Sequence, residues 1–241
     1  MTGVLDSGRG GEISMRYLYT FMPSEPCIIF TDRENAPYGK KTKDELIPIL
    51  RRGLTRLTEQ GADRILVACC TMCTVLPSLV SEFPNTFSII EPTAREAVRQ
   101  TRGKIAVIST ERTEASHAFR DTLLGLCDGL SVTEIPAPDL VTIAEAGGPA
   151  LPEEKRKIDE VLLRVTESGA DTLILGCTHF SLLKEYIAGA VPDISLVDSA
   201  RVGAFAYAAD LYKSRKNKRR PEKWQNTEEE ELTRRWQTSL P

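Results

Sequence analysis

Short apolar runs alternate along the whole chain with longer segments of helical periodicity. The runs Gly3–Leu5, Cys27–Thr31, Ile65–Ala68, Ser88–Ile90, Ile105–Ile108, Ser131–Ile135, Thr172–Leu175 and Ser195–Val197 read as strands. Between them, Lys43–Gln60, Glu153–Ser168 and Ser181–Ala190 carry apolar residues at helical spacing. Strands that are apolar almost throughout must be covered on both faces, the condition of a parallel sheet flanked by helices. The alternation therefore predicts an α/β protein.

The pattern also repeats. Gly61-Ala62-Asp63-Arg64-Ile65-Leu66-Val67-Ala68-Cys69 runs parallel to Gly169-Ala170-Asp171-Thr172-Leu173-Ile174-Leu175-Gly176-Cys177. Both start Gly-Ala-Asp, pass through a buried strand and reach Cys at the same offset. Weaker echoes flank them. Gly3-Val4-Leu5-Asp6-Ser7 resembles Ala106-Val107-Ile108-Ser109-Thr110, and Ser88-Ile89-Ile90-Glu91 resembles Ser195-Leu196-Val197-Asp198. Two similar halves with one Cys each suggest two lobes facing one another.

Composition narrows the class. At 241 residues, with 41% hydrophobic and 27% charged residues, the chain has the balance of an ordinary globular protein. A net charge of −3 gives no overall bias toward nucleic acid or anionic membrane. No apolar run approaches the roughly 20 residues that span a bilayer. The opening Met1-Thr2-Gly3-Val4-Leu5-Asp6 lacks the basic-then-apolar layout of a signal peptide, so the protein is read as cytoplasmic. Six cysteines in a chain of this length do not make a disulfide framework.

Each repeated Cys lies at the C-terminal end of a strand and just before a helix, the edge where ligands of open α/β sheets gather. Helix N-termini there favour thiolates and bind carboxylates. Asp6-Ser7-Gly8-Arg9-Gly10-Gly11, the segment from Asp32 to Lys40 and Ser109-Thr110 reach the same rim. Inverting the α-carbon of an amino acid requires a base on one face and an acid on the other. Two groups of similar pKa serve in both directions, and a pair of cysteines suits the task.

Four segments carry a family resemblance: Gly3-Val4-Leu5-Asp6-Ser7-Gly8, Pro37-Tyr38-Gly39, Val67-Ala68-Cys69-Cys70-Thr71 and Leu175-Gly176-Cys177-Thr178-His179-Phe180. They resemble, in order and over nearly the whole chain, the motifs of glutamate racemases in the aspartate/glutamate racemase superfamily. The resemblance implies two pseudo-symmetric parallel-sheet lobes with helices on both faces and the active site in the cleft between them. It implies a first lobe over 1–94 plus 205–241 and a second over 95–204. No metal, pyridoxal phosphate or other cofactor is implied. The implied partner is a small-molecule substrate, glutamate, with no nucleic acid or membrane, and a homodimer is compatible with it. Cys69 would serve the D-enantiomer and Cys177 the L-enantiomer, making D-glutamate for peptidoglycan. Asp6, Ser7, Tyr38, Gly39, Cys70, Thr71, Thr178 and His179 fall at substrate-contacting or thiol-tuning positions, and Glu145 where the family places a carboxylate near the second thiol.

One departure stands out: Cys70 occupies the place of the family's usual Asn. Asn offers a good donor and a good acceptor, and a thiol weak versions of each. Losing one polar contact costs about 0.5–1.5 kcal/mol. A related substrate such as aspartate, a hydantoin or an arylmalonate stays open, as does an amino-acid-binding homologue without turnover.

Other readings are weaker. Cys70 and Cys73 form a Cys-x-x-Cys, yet the second half supplies only Cys177 and His179, short of the paired motifs of structural zinc. The surroundings of a thioredoxin-like redox motif are missing, and Cys27, Cys73 and Cys127 read as small hydrophobes in or near the core. His117 reads as structural. Gly8-Arg9-Gly10-Gly11 lacks the Gly-Lys-Ser/Thr ending of a nucleotide loop. In the tail, Lys213 to Arg220 reads as a solvated basic stretch. Lys223-Trp224-Gln225 reads as an edge strand, and Thr227 with Glu230 as the capping box of a last helix that Trp224 and Trp236 pack onto the body.

Overall fold

The structure, a computed structural model, describes residues 1–216 and 225–238. Among the described residues the strands are β1 (Thr2–Asp6), β2 (Cys27–Thr31), β3 (Arg64–Val67), β4 (Thr86–Ser88), β5 (Lys104–Ser109), β6 (Ser131–Pro136), β7 (Thr172–Gly176) and β8 (Ser195–Asp198). The helices are α1 (Arg9–Phe21), α2 (Lys43–Glu59), α3 (Cys70–Cys73), α4 (Ile90–Gln100), α5 (Glu111–Ala115), α6 (Ala118–Leu126), α7 (Pro138–Glu145), α8 (Pro152–Glu167), α9 (Lys184–Ala190), α10 (Ser199–Lys216) and α11 (Gln225–Thr238). Short 3₁₀ turns cover Tyr38–Lys40 and Thr178–Leu183.

The strands form two parallel sheets of the same order, β2-β1-β3-β4 and β6-β5-β7-β8. The expected α/β fold of two similar lobes is therefore present. Register shows how deep the repeat runs. Val4 pairs with Leu66 in the first sheet, and Val107 pairs with Ile174 in the second. On that frame Gly3–Ser7 does superpose on Ala106–Thr110. The other weak echo is out of step. Val67 pairs with Ser88 and Leu175 with Asp198, so Ser88 corresponds to Asp198 rather than to Ser195. The expected strand Ser88–Ile90 ends at Ser88, because Ile89 and Ile90 turn into α4 and bury their side chains there. An apolar run cannot by itself separate the end of a strand from the first turn of a buried helix.

The second sheet has apolar residues on both faces, as parallel strands require. Ile105, Val107 and Ile174 join a core continuous with the first sheet through α4 and α6. Ala106, Ile108, Leu173 and Leu175, one residue out of phase, pack beneath α7, α8 and α9.

The tail differs from expectation. Lys223 and Trp224 lie outside the described residues, as do Asn217 to Arg220 of the basic stretch. Gln225 is helical, and α11 begins there, so Thr227 sits inside the helix rather than capping it. Trp236 does dock α11, with its ring 4.5 Å from Phe205 and the Arg201 guanidinium 3.7 Å above it. Cys73 is buried, whereas Cys27 and Cys127 are half-buried at the edge of the core. His117 caps α6 in the left-handed region at φ 53° and bonds Glu134 at 2.6 Å. Among the described residues no helix is long and apolar enough to cross a membrane.

Candidate active site

The carboxyl ends of β1, β3, β5 and β7 converge where the lobes meet. Cys69 and Cys177 follow β3 and β7, both in extended conformation, both buried and both free thiols. Each chain then turns at once into a helical segment, and the Cys73 N–H bonds the Cys69 carbonyl.

The lobes touch through polar side chains. Thr178 donates from Oγ1 to Asp6 Oδ2 at 3.1 Å, and the Gly8 N–H donates to Asp6 Oδ1 at 2.8 Å. The Thr71 hydroxyl meets Thr110 at 3.0 Å and Thr113 at 3.2 Å. Cys70 Sγ lies 3.5 Å from the Ser199 hydroxyl. His179 places Nδ1 3.6 Å from Cys177 Sγ and Nε2 2.5 Å from Glu145 Oε1. Glu145 also accepts from the Arg9 N–H at 3.2 Å, across the cleft.

These approaches depend on missing side chains. A Cβ on Gly8 would fall 2.5 Å from Glu145 Oε1, and one on Gly10 only 2.2 Å from Thr178 Oγ1. The loop after β1 passes beneath the second lobe because it carries nothing there. Ser7 is buried on this loop. Tyr38 is buried and donates its hydroxyl to Asp32 at 3.0 Å, while Gly39 lies against Thr110. Asp32 also accepts from the Asn35 side chain at 2.8 Å. The Pro37-Tyr38-Gly39 segment is thus held at the rim by a buried carboxylate.

Burial sets the electrostatics. It pushes the Asp6 carboxyl up to about 6, against the nearby His179 charge and the Gly8 and Thr178 hydrogen bonds. Burial, then the Asp6 charge, pushes the Cys69 thiol well above its ordinary range. Burial and the neighbouring Cys177 do the same to Cys70. His179 goes the other way from a simple buried imidazole. Desolvation would lower it, but hydrogen bonds to Cys177 and Glu145 and the Asp6 charge push it up to about 11. Glu145 is held below the usual carboxylate range by His179 first, helped by the Arg9 N–H.

The comparisons with known proteins bear on the family and the fold. Residues 19–206 match the Asp/Glu/Hydantoin racemase family. A glutamate racemase of Desulforudis audaxviator (strain MP104C) is 36% identical over 213 residues, covering 87% of this chain and 78% of that relative. The chain belongs to this family. Glutamate racemase isoform RacE1 from Bacillus anthracis superposes with a TM-score of 0.85 at 30% identity, over 89% of this chain and 82% of that one. Glutamate racemase from Francisella tularensis subsp. tularensis SCHU S4, solved with D-glutamate, gives 0.82 at 25% identity, over 89% and 81%.

Within this racemase the structure gathers Asp6, Ser7, Tyr38, Gly39, Cys69, Cys70, Thr71, Cys177, Thr178 and His179 around one junction of the lobes. The sequence places Arg9 on the rim loop after β1 but assigns it no role, and it singles out neither Thr113 nor Ser199. Thr113 had a legible signal, since it lies three residues after Thr110, whose hydroxyl accepts its N–H at 3.2 Å. Ser199 and the role of Arg9 had none, because each acts through a residue far away in sequence.

Proposed function

We propose that this racemase interconverts L- and D-glutamate by two-base proton transfer between Cys69 and Cys177, with no cofactor, supplying D-glutamate for peptidoglycan. The observation that carries the reading is the placing of two free thiols at equivalent strand ends of facing lobes, each beside a different ionisable group. In the L-to-D direction the Cys177 thiolate takes the α-proton, and the Cys69 thiol delivers one to the opposite face. The reverse reaction exchanges the roles.

The surroundings support these roles. The His179 imidazolium, held charged by its hydrogen bonds to Cys177 and Glu145, aims Nδ1 at the Cys177 sulfur. Cys69 sits beside Asp6, and burial disfavours both as anions. A bound amino acid brings an ammonium group, whose charge offsets Asp6 and the Cys69 thiolate together. Thr71, the bare backbone after β1 and the helix start after β3 offer hydroxyl and N–H donors for carboxylates, and Thr178 holds Asp6 beside them. Ser7, Tyr38 and Gly39 complete the rim. Cys70 favours one second reading, a related substrate such as aspartate, because a thiol stands where the family's Asn would contact glutamate.

Circular dichroism of the purified protein with either glutamate enantiomer tests the reading. Decay of the signal to zero from both sides is expected. No change at high enzyme concentration overturns it, and decay with aspartate alone selects the second reading.

A further inference from the structure

Glu145 is the last residue of α7, and its backbone carbonyl is one of the acceptors that a helix end leaves without an intrahelical donor. The helix does not continue past it: Gly147 and Gly148 take φ of 104° and 113°, and their N–H groups turn back to Ala144 and Ile143. The donor comes instead from the other lobe. Arg9 Nη1 lies 2.9 Å from the Glu145 carbonyl oxygen, and the Arg9 N–H lies 3.2 Å from the same residue's Oε1. Arg9 therefore holds Glu145 at both ends, main chain and carboxylate. A guanidinium against the end of α7 also has the sign the helix dipole favours.

That grip matters because Glu145 is not held by burial. Its side chain is 40% exposed, whereas the His179 side chain it meets is 6% exposed. The bare Gly8 lets the loop come close enough for Arg9 to reach. The chain of contacts then runs from Arg9 to Glu145, from Glu145 Oε1 to His179 Nε2, and from His179 Nδ1 to Cys177.

We infer that Arg9 is a positioning residue of the first lobe that fixes the Glu145–His179 pair of the second, so that Cys177 is made ready for proton transfer only when the cleft is closed. The charged and titratable groups facing His179 are Glu145, Cys177 and Asp6, and those facing Glu145 are His179 and Arg9. When the lobes part, Glu145 loses both Arg9 donors and its part-exposed carboxylate is left on the His179 contact. The imidazole then has a less firmly fixed acceptor. The catalytic consequence rests on the two-thiol reading above, but the contact itself does not.

The test uses the intact chain labelled with ¹⁵N-histidine. The sequence has only two histidines, His117 and His179, and His117→Gln assigns the remaining signal. In the wild type the His179 Nε2 proton, bonded to a carboxylate, is expected far downfield and slow to exchange. Arg9→Met should speed that exchange about tenfold, equivalent to losing one charge-assisted contact. Arg9→Lys, which keeps the cation but not the fork, should fall between the two. In racemisation, Arg9→Met should lower kcat about tenfold with KM changed less, as expected for a group that acts through the proton-transfer pair.

An unchanged downfield proton in both Arg9→Met and Arg9→Lys overturns the inference, as does absence of that proton in the wild type. A wild-type chain that shows the expected proton and its loss on substitution, yet racemises nothing, overturns the function and leaves the positioning by Arg9 standing.

Discussion

Cys69 and Cys177 occupy the same place in two copies of one strand–helix unit, yet the charges around them are unlike. The register of the two sheets pairs Asp6 with Ser109, Cys70 with Thr178 and Thr71 with His179. The first lobe thus supplies a carboxylate from the end of β1, and its counterpart in the second lobe is a hydroxyl. The second lobe supplies an imidazole after β7, and its counterpart in the first is again a hydroxyl. Burial drives Asp6 up to about 6 and hydrogen bonds drive His179 up to about 11, so above pH 6 the Cys69 side still holds a carboxylate and the Cys177 side an imidazolium. Duplication accounts for the scaffold. The chemistry comes from where the copies have diverged.

The largest expected effect would break the comparison outright. Cys69→Ser and Cys177→Ser should each lower racemisation by at least about a thousandfold, since a serine hydroxyl is too weak an acid to replace a thiol. The thermodynamics adds a check. Enantiomers have equal free energies, so kcat/KM must fall by the same factor in both directions for either variant. Proton exchange in deuterated water need not be symmetric. Cys69→Ser should still wash the α-proton from L-glutamate, and Cys177→Ser from D-glutamate. Full activity in either variant, measured by circular dichroism, removes the two-base scheme.

A smaller effect sharpens the contrast. His179→Asn and Asp6→Asn should each cost about a hundredfold in kcat, but with different pH profiles. Asp6 is charged above about 6 and neutral below, so the wild-type rate should fall as pH drops through about 6. That limb should persist in His179→Asn and vanish in Asp6→Asn. A limb unchanged in Asp6→Asn would assign it elsewhere.

Stability should move the other way. The Asp6 pKa is raised from 3.8 to about 6 in the folded chain, so ionising it penalises the fold. The penalty is present in full above about pH 6, shrinks as pH falls through that value, and is gone below the unfolded value of 3.8. Asp6→Asn should therefore raise stability at pH 7.5 by on the order of 1 kcal/mol, a Tm gain of about 2–4 °C at this chain length. Thermal melts at pH 7.5 and pH 3.5 would show the gain at the first and not at the second. A lower Tm at pH 7.5 would mean that the hydrogen bonds from Gly8 and Thr178 outweigh the burial of charge.

How much of this could be read in the chain alone follows from the range of each interaction. The strands were legible because burial on both faces leaves an apolar run, as at Ile65–Val67 and Thr172–Leu175. The paired thiols were legible because Gly-Ala-Asp sets their offset twice. The end of β4 was not, since Ile89 and Ile90 are buried whether they continue a strand or open α4. Nor was the three-residue slip between Ser88 and Ser195, because the sequence echo and the strand register disagree there. The contacts of Arg9 and Ser199 were invisible for another reason. Their partners, Glu145 and Cys70, are brought to them only by closure of one lobe on the other. Thr227 looked like a cap because its spacing to Glu230 is right, but nothing local prevented the helix from starting at Gln225.

The smallest expected effect concerns position 70, where the resemblance of the motifs implies an Asn. Cys70 corresponds to Thr178 in the second lobe, and Thr178 reaches across the junction to Asp6. Cys70 also reaches across, to the Ser199 hydroxyl, but at 3.5 Å through a weak donor. Ser199 is fully buried at the start of α10, next to Asp198, whose Oδ1 accepts from Ser181 at 2.6 Å and from the Ala200 N–H at 3.0 Å. An Asn at position 70 would offer Ser199 a stronger partner and still have an amide group to direct at a substrate carboxylate. Cys70→Asn should then leave kcat/KM for glutamate unchanged or raise it by about two- to fivefold, the worth of one modest hydrogen bond. The gain should appear in KM rather than kcat, because the contact is the same in ground and transition states. A drop of about tenfold or more would show that the pocket around Ser199 is built to the size of a thiol. The same variant assayed against aspartate would then show whether the thiol was there to admit a shorter side chain.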